Sequence, residues 1–333
     1  MSVWLVRAGQ TGDREDFALD NDVAVVGWDD MPNLASAETR EELDQLYLQT
    51  YPDAGKNRRS NHVGQLWAFS HRIKPDDLVV LPLKRSSAIA IGKVTGPYQY
   101  VHSPGTPEHR RPVQWLRTDI PRTSFDQDLL YSFGAFMTVC AITRNDAETR
   151  IRALLAGEPP MASDATGSAD EESIPDIEQI ARDQISTHVL QKFKGHHLTD
   201  LVAAVLQAEG YVVQVSPPGA DGGVDILAGT GPLGFAQPRL CVQVKSQQSP
   251  ADVTVFRSLQ GSMQTFGAEQ GLLVCWGGFN KAVQSESRLS YFRIRLWDAG
   301  ALLEAVLRMY SKLPKELQTE LPLKRVWALV LEE

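Results

Sequence analysis

A short segment near the middle of the chain most limits how this protein can fold. Residues 156–176 read AGEPPMASDATGSADEESIPD, a run of small, polar, acidic and proline residues. Few of these side chains can pack into a core, and such a composition is typical of a flexible linker. The 333-residue chain is therefore predicted to contain two domains, at residues 1–155 and 177–333.

Most of the acidic excess of the chain lies around this linker. The formal net charge is −8, of which residues 1–155 carry −2, residues 156–190 carry −7 and residues 191–333 carry +1. An acidic protein is a poor partner for nucleic acid, because phosphates are bound by Lys and Arg. Since both flanking regions are close to neutral, the total charge does not exclude a nucleic-acid partner for either of them.

The composition is that of a soluble globular protein, with 43% hydrophobic and 22% charged residues. No apolar run approaches the ~20 residues of a membrane span, and the first residues lack the pattern of a signal peptide. We therefore expect a cytoplasmic protein with no membrane partner. Cys140, Cys241 and Cys275 lie far apart in apolar stretches, which favours buried free thiols over a disulfide or a zinc site.

The second domain combines helical and strand patterns. Apolar residues from Leu198 to Leu206 recur at helical spacing, and Gly210 is placed to end that helix. Strands are predicted at 211–215, 224–228 and 240–245. In the last of these, alternation places Leu240, Val242 and Val244 on one face and Cys241, Gln243 and Lys245 on the other.

Asp225, Gln243 and Lys245 form a candidate catalytic set on adjacent predicted strands. The carboxylate of Asp225 and the amide oxygen of Gln243 are ligands that suit Mg²⁺. Lys245, on the same face as Gln243, can position the attacking water or offset charge on a phosphate. The alternative is a polar cluster whose members simply hydrogen-bond to one another.

At these residues the sequence resembles the Mrr-type branch of the restriction-endonuclease-like superfamily, in its QxK variant. The matching motifs follow the family order over about 115 residues: AEGY (208–211), DGGVD (221–225), QVK (243–245), GLLVCWGGFNKAV (271–283) and IRLWDAGALLEAVL (294–307). The resemblance implies a mixed sheet flanked by helices, cleavage of DNA phosphodiesters with Mg²⁺ or Mn²⁺, and a homodimer that makes double-strand breaks.

One position departs from the family pattern. Where many members carry a metal-binding Glu on the first helix, this chain has Thr199, with Asp200 beside it. Asp200 is either a substitute ligand or a surface helix residue. His196 and His197 precede the helix and are candidates for phosphate contacts or part of a solvated loop. Asp221 is interpreted as a turn residue.

The first domain is predicted to be a small β-barrel with helices. The predicted strands are 3–7, 23–28, 78–82, 88–97 and 113–116, and the predicted helices are 39–51 and 61–69. Its segments 58–69, 74–100 and 109–122 resemble the PUA-like group that includes EVE and YTH domains, although Asp76 replaces the glycine of the group's G-D-L-V strand.

That resemblance implies a domain that binds nucleic acid and encloses a flipped, modified base. The candidate pocket residues are Trp28, Ser60, Asn61, Trp67, Trp4 and Trp115. For each Trp the alternative is core packing, and Ser60 and Asn61 are alternatively caps of a helix. The candidate contacts to the DNA backbone are Arg58, Arg59, Arg85, Arg110 and Arg111.

Together these features predict a modification-dependent restriction enzyme, with a modified-base reader joined by an acidic linker to a nuclease. One alternative is an antiphage nuclease whose first domain senses a nucleotide or a protein ligand. Another is an inactive DNA-binding module, which Thr199 would favour. The chain has no GxxxxGK[ST] motif, so cleavage driven by its own NTP hydrolysis is not expected.

Overall fold

The computed structural model describes residues 2–9, 11–84, 86–103, 105–135, 137–157, 176–217 and 223–327. Arg85, Asp221 and most of the predicted linker lie outside these described residues. The chain divides into two units, Met1–Ile180 and Ala181–Trp327. Within the described ranges, no helix has both the length and the apolar character needed to cross a membrane.

The first unit is built on a curled sheet with helices packed against it. Its elements are β1 Val3–Val6, α1 Glu15–Asp20, β2 Val23–Val25, α2 Arg40–Thr50, α3 Lys56–Trp67, β3 Leu78–Pro82, β4 Ala88–Val94, β5 Gln99–Tyr100, β6 His109–Pro121, α4 Gln127–Phe133, β7 Val139–Ile142 and α5 Ala147–Leu155. The strand order is β2-β6-β4-β3-β1-β7, with β5 also paired to β6. Among the described strand pairs of this unit, only the pairing of β1 with β3 is parallel.

Alternation along the strands gives this sheet two buried faces. On β1, Val3 and Leu5 join the core with α4 and α5, whereas Trp4 and Val6 join the core beneath the end of α3. The mixed α+β architecture predicted from the sequence is therefore confirmed. A single turn of π-helix, Ala68–Arg72, extends α3.

One local prediction for this unit was wrong. The helix predicted to begin near Asn61 begins at Lys56, so Ser60 and Asn61 lie in its second turn and cap nothing. The strand predicted at 113–116 is confirmed and is part of the 13-residue β6, which pairs with β2, β4 and β5 along its length. In contrast, Thr39 caps α2 in a capping box with Glu42, next to the predicted helix start.

The second unit contains a five-stranded mixed sheet between two layers of helices. Its elements are α6 Ile177–Lys192, which begins in the first unit, α7 His196–Ala208, β8 Val212–Val215, β9 Ile226–Thr230, β10 Ala236–Lys245, α8 Val253–Thr265, β11 Gln270–Cys275, α9 Lys281–Leu289, β12 Ile294–Trp297, α10 Ala299–Met309 and α11 Lys315–Glu320. The order is β12-β11-β10-β9-β8, parallel from β10 to β12 and antiparallel from β8 to β10.

The two faces of β10 bury different side chains. Leu240, Val242 and Val244 pack with α7 and α10, and Cys241 packs with α8 on the opposite face. This confirms the predicted alternation, which places Gln243 and Lys245 on the α8 side. Gly210, at a φ of 103°, follows the end of α7 as predicted.

Candidate functional site

Asp225 and Gln243 both adjoin the last residue pair that joins β9 to β10. In the antiparallel register of these strands Val242 pairs with Ile226; Gln243 follows Val242, and Asp225 precedes Ile226. The Asp225 amide donates to the Val242 carbonyl at 2.9 Å, and its Oδ2 accepts from the Val244 amide at 2.7 Å. The sheet therefore fixes both the backbone and the carboxylate of Asp225.

The Gln243 amide oxygen is buried without a hydrogen-bond partner. The residue is 5% exposed, and its Oε1 has no partner within the described part of the chain. A buried acceptor left in this state costs about 1–3 kcal/mol. Gln243 Oε1 is therefore a position where a ligand would improve the energy of the folded protein.

Lys245 ends β10 on the same face as Gln243. It pairs in register with Cys275 of β11, and its side chain is partly exposed. Burial raises the pKa of the Cys275 thiol, and the nearby Lys245 ammonium works against that rise. The ammonium thus lies at the boundary between the buried sheet and solvent, where a phosphate can reach it.

These residues fit a divalent cation of the magnesium type. No group of three or more His, Cys, Asp or Glu side chains suited to a metal occurs in the described ranges. Mg²⁺ and Mn²⁺ are hard cations, and Mg²⁺ is commonly held by one or two carboxylates while it keeps several waters. Asp225 together with the unpartnered Oε1 of Gln243 provides such an oxygen set.

The residues around the start of α7 lie in a different environment. The half-exposed Asp200 carboxylate is 3.6 Å from His197 and 4.0 Å from His196. His197 stacks on Phe193 and contacts the Glu320 carboxylate at 2.7 Å. Thr199 is buried. These contacts favour the interpretation of Asp200 as a surface helix residue. His197 contacts the carboxylates of both Asp200 and Glu320.

In the first unit, four half-buried aromatic residues pack on the core between α2 and α3. They are Trp28, Tyr51, Trp67 and Tyr98. Trp28 has a φ of 62°, which is rare for a bulky residue and marks a site of backbone strain. Its ring nitrogen donates to His62 Nδ1 at 3.0 Å, and Trp67 stacks on His71 with ring centroids 3.8 Å apart.

Trp4 and Trp115 lie outside the core between α2 and α3, but they share a second core with Trp28 and Tyr98. Trp4 is 3% exposed, and its ring nitrogen donates to Asp77 at 3.1 Å. Trp115 donates to the Ala18 carbonyl at 3.0 Å and packs on other cores. The prediction of Trp4 as a pocket wall was wrong, because its ring fills the core beneath α3. Ser60 and Asn61 are exposed on α3.

The arginines that were predicted to contact phosphate differ in their burial and in their present hydrogen-bond partners. Arg111 is 2% exposed and donates to the carbonyls of Phe69, Ser70 and Gly96, so the prediction of a phosphate contact there was wrong. Burial lowers its pKa to about 10. Arg110 binds Pro107 and Thr106. Arg59 pairs with Asp44, and Arg58 is exposed.

Reasoning from the sequence missed Tyr98, a member of the aromatic cluster, and His62, a hydrogen-bond partner of Trp28. His62 lies between Trp28 and Tyr47, with the Tyr47 hydroxyl 2.8 Å from its Nδ1. Tyr98 is 2.7 Å from His109 and accepts from the Leu34 amide. The only sequence signal for Tyr98 was its position directly after Gly96-Pro97, a dipeptide typical of turns and loops.

Comparison with protein families gives two matches. Residues 190–306 match the family model Mrr_cat, described as a restriction endonuclease. Residues 4–134 match a domain of unknown function, DUF8426. No curated protein matches the chain.

Two solved structures are similar at low identity. One is the DNA modification-dependent restriction endonuclease AspBHI, at 15% identity over 81% of this chain and 74% of that chain, with a TM-score of 0.34. The other is the MspJI restriction endonuclease in complex with a 27-mer oligonucleotide, at 16% identity over 91% of this chain and 66% of that chain, with a TM-score of 0.31. Scores this low do not establish a common arrangement of the chains.

Proposed function

Because residues 190–306 form an Mrr-type restriction endonuclease domain, we propose that this chain is a modification-dependent DNA endonuclease. The observation that carries the proposal is Gln243, whose buried Oε1 lacks a partner within the described chain and which follows the Val242–Ile226 pair next to Asp225. Lys245 is on the same face of β10. One acid, one amide and one ammonium at a strand end match the needs of phosphodiester hydrolysis.

Each of these residues has a separate task. Asp225 and Gln243 hold Mg²⁺ or Mn²⁺, which when bound polarises the phosphate and makes water a stronger nucleophile. The Val244 amide, which donates to Asp225, keeps that carboxylate oriented. Lys245 positions the attacking water through its ammonium and offsets the negative charge that grows on the phosphate.

The first unit serves in this proposal as the reader of a modified base. Extrusion of a base from the duplex costs a few kcal/mol, which stacking on aromatic rings offsets by about 1–3 kcal/mol per base. Trp28, Trp67 and Tyr98 offer such rings on one core cluster. Ser60 and Asn61 provide polar groups on α3, and Arg58 provides a cation for the adjacent phosphates.

The proposed active form on DNA is a homodimer. One centre of this kind hydrolyses one phosphodiester bond at a time. Two copies of the chain, one on each strand, would therefore make a double-strand break. Sedimentation of the protein with and without duplex DNA tests the stoichiometry.

The test is cleavage of modified and unmodified duplexes by the purified full chain in the presence of Mg²⁺. We expect Asp225→Ala and Lys245→Ala to abolish cleavage. Asp200→Ala is the matched control, because its carboxylate faces His196 and His197, and this variant should cut normally. Undiminished cutting by either of the first two variants would refute the assigned centre.

A further inference from the structure

A basic and aromatic segment links α9 to β12. Residues 288–295 read RLSYFRIR, and this stretch is called the RLSYFRIR segment below. Its apolar side chains are unusually exposed, at 90% for Leu289, 87% for Phe292 and 57% for Tyr291. Ile294 is buried at 3% and anchors the segment to the sheet. The exposed side chains therefore belong to a segment that the buried Ile294 anchors to the sheet.

The arginines of this segment differ from other arginines of the same unit. Arg239, Arg257 and Arg308 each form an ion pair with a glutamate. Arg288, Arg293 and Arg295 are exposed, and none of them pairs with an acidic side chain of the described residues. The Arg295 guanidinium instead lies 3.9 Å from the centroid of the Tyr291 ring. The segment therefore has three positive charges that no described acid offsets.

We propose that the RLSYFRIR segment contacts DNA away from the scissile phosphate. Guanidinium groups bind phosphates, and exposed aromatic rings stack on bases or insert between base steps. An apolar patch alone would equally suit a protein surface. The three unbalanced arginines favour a polyanion, and the proposal rests on DNA being the substrate, as proposed above.

The register of the strands gives the distance between the RLSYFRIR segment and Lys245 of the proposed cleavage centre. Ile294 pairs with Gly271, and Gly271 pairs with Cys241, four residues before Lys245 on β10. Four residues span about 13 Å along a strand, and two strand spacings add about 10 Å across the sheet. The resulting separation of about 16 Å equals the rise of about five base pairs. The segment would thus hold a flanking part of the duplex.

The first experiment measures DNA binding in full-length protein that carries Asp225→Ala, so that no cleavage interferes. Arg288→Gln/Arg293→Gln is compared with Arg257→Gln/Arg308→Gln, a pair with the same change in net charge. We expect the first pair to weaken binding roughly 10- to 100-fold and to reduce the slope of log K against log salt by about 2. The control pair should change binding less than about 2-fold. Equal losses in both pairs would overturn the proposal.

The second experiment tests the aromatic contribution. Phe292→Ala should weaken binding about 5- to 100-fold, and Phe292→Tyr should restore it because a ring is kept. Sedimentation of the same variants decides between DNA and a second copy of the chain. Loss of a dimer in Phe292→Ala with unchanged DNA affinity would assign the surface to protein and overturn the proposal. Because these experiments measure DNA binding and not cleavage, a negative result would not contradict the assignment of the cleavage centre at Asp225.

Discussion

The region around Trp28 and the region around Gln243 handle buried polar groups in opposite ways. In the first, the Trp28 ring nitrogen binds His62, and the Tyr98 hydroxyl binds His109. In the second, the Gln243 Oε1 is buried with no partner in the described chain. A saturated cluster holds its own shape, whereas an unpartnered acceptor costs stability until something binds it.

This difference shows what each region can offer a ligand. Around Trp28, a ligand gains mainly by contact with ring faces, because the Trp28 ring nitrogen and the Tyr98 hydroxyl already have hydrogen-bond partners. At Gln243, a cation gains an oxygen ligand that has no competing interaction to lose. Removing a polar group should therefore change protein stability and ligand binding in different ways in the two regions.

The largest expected effect is at Gln243. Gln243→Leu removes the unpartnered amide, so we expect the metal-free protein to gain about 1 kcal/mol in free energy of unfolding. The same change removes a proposed metal ligand and should reduce cleavage at least ~10³-fold, since a metal contributes several kcal/mol to such a transition state. Urea denaturation in EDTA and a cleavage assay in Mg²⁺ measure the two effects.

Gln243→Glu is the matched variant, because it keeps an oxygen and adds a charge. We expect it to retain cleavage with Mg²⁺ while it lowers metal-free stability, since a second carboxylate opposite Asp225 is repelled without a cation. Loss of stability in Gln243→Leu would contradict the view that the buried oxygen is unsatisfied.

The next effect in size concerns the saturated polar groups of the first unit. Arg111→Met leaves the carbonyls of Phe69 and Ser70 without their donor, and we expect a loss of about 3 kcal/mol in that unit. Arg110→Met, at the neighbouring and less buried position, should cost about 1 kcal/mol or less. Hydrogen exchange measured by mass spectrometry separates the units. Protection in β6 should fall while protection in β10 stays constant, and equal losses in both strands would contradict the assignment.

Sequence patterns predicted the second unit better than the first, for a physical reason. Strand alternation determined which faces of β10 hold Leu240, Val242 and Gln243. A shift of the strand by one residue would move the core side chains to the face of the site and the site side chains into the core. In the first unit, the positions of Trp4 and Arg111 depend on which helix covers which face of a curled sheet. No local period carries that information, so both residues were assigned to binding although they belong to the core.

Trp28 provides the third prediction. Trp28→Ala should weaken binding to a modified duplex about tenfold or more relative to an unmodified one, because a stacking ring is lost. Trp28→Phe keeps a ring but not the donor to His62, so it should retain most of that preference. Trp115→Phe is the control for loss of a core contact, since Trp115 shares one core with Trp28 but does not pack on the core that holds Trp67. If Trp28→Ala keeps the full preference, the reader pocket lies elsewhere.

The last prediction is a pH dependence of the stability of the first unit, caused by His62. Its Nδ1 accepts from Trp28, so protonation there would break that hydrogen bond. Burial, followed by the charge of Arg58, lowers the pKa of His62 from 6.5 to about 4. Between those two values the unfolded chain binds a proton that the folded chain does not, so the stability of the first unit should fall as pH decreases from 6.5 to 4. Above that window His62 is neutral in both states and contributes no slope.

Urea midpoints followed by Trp fluorescence measure this dependence, and His62→Gln, which cannot titrate, should show a shallower fall. Parallel curves for the two proteins would mean that the pKa of His62 is the same in the folded and the unfolded chain, and the hydrogen bond from Trp28 would then have to be reassigned.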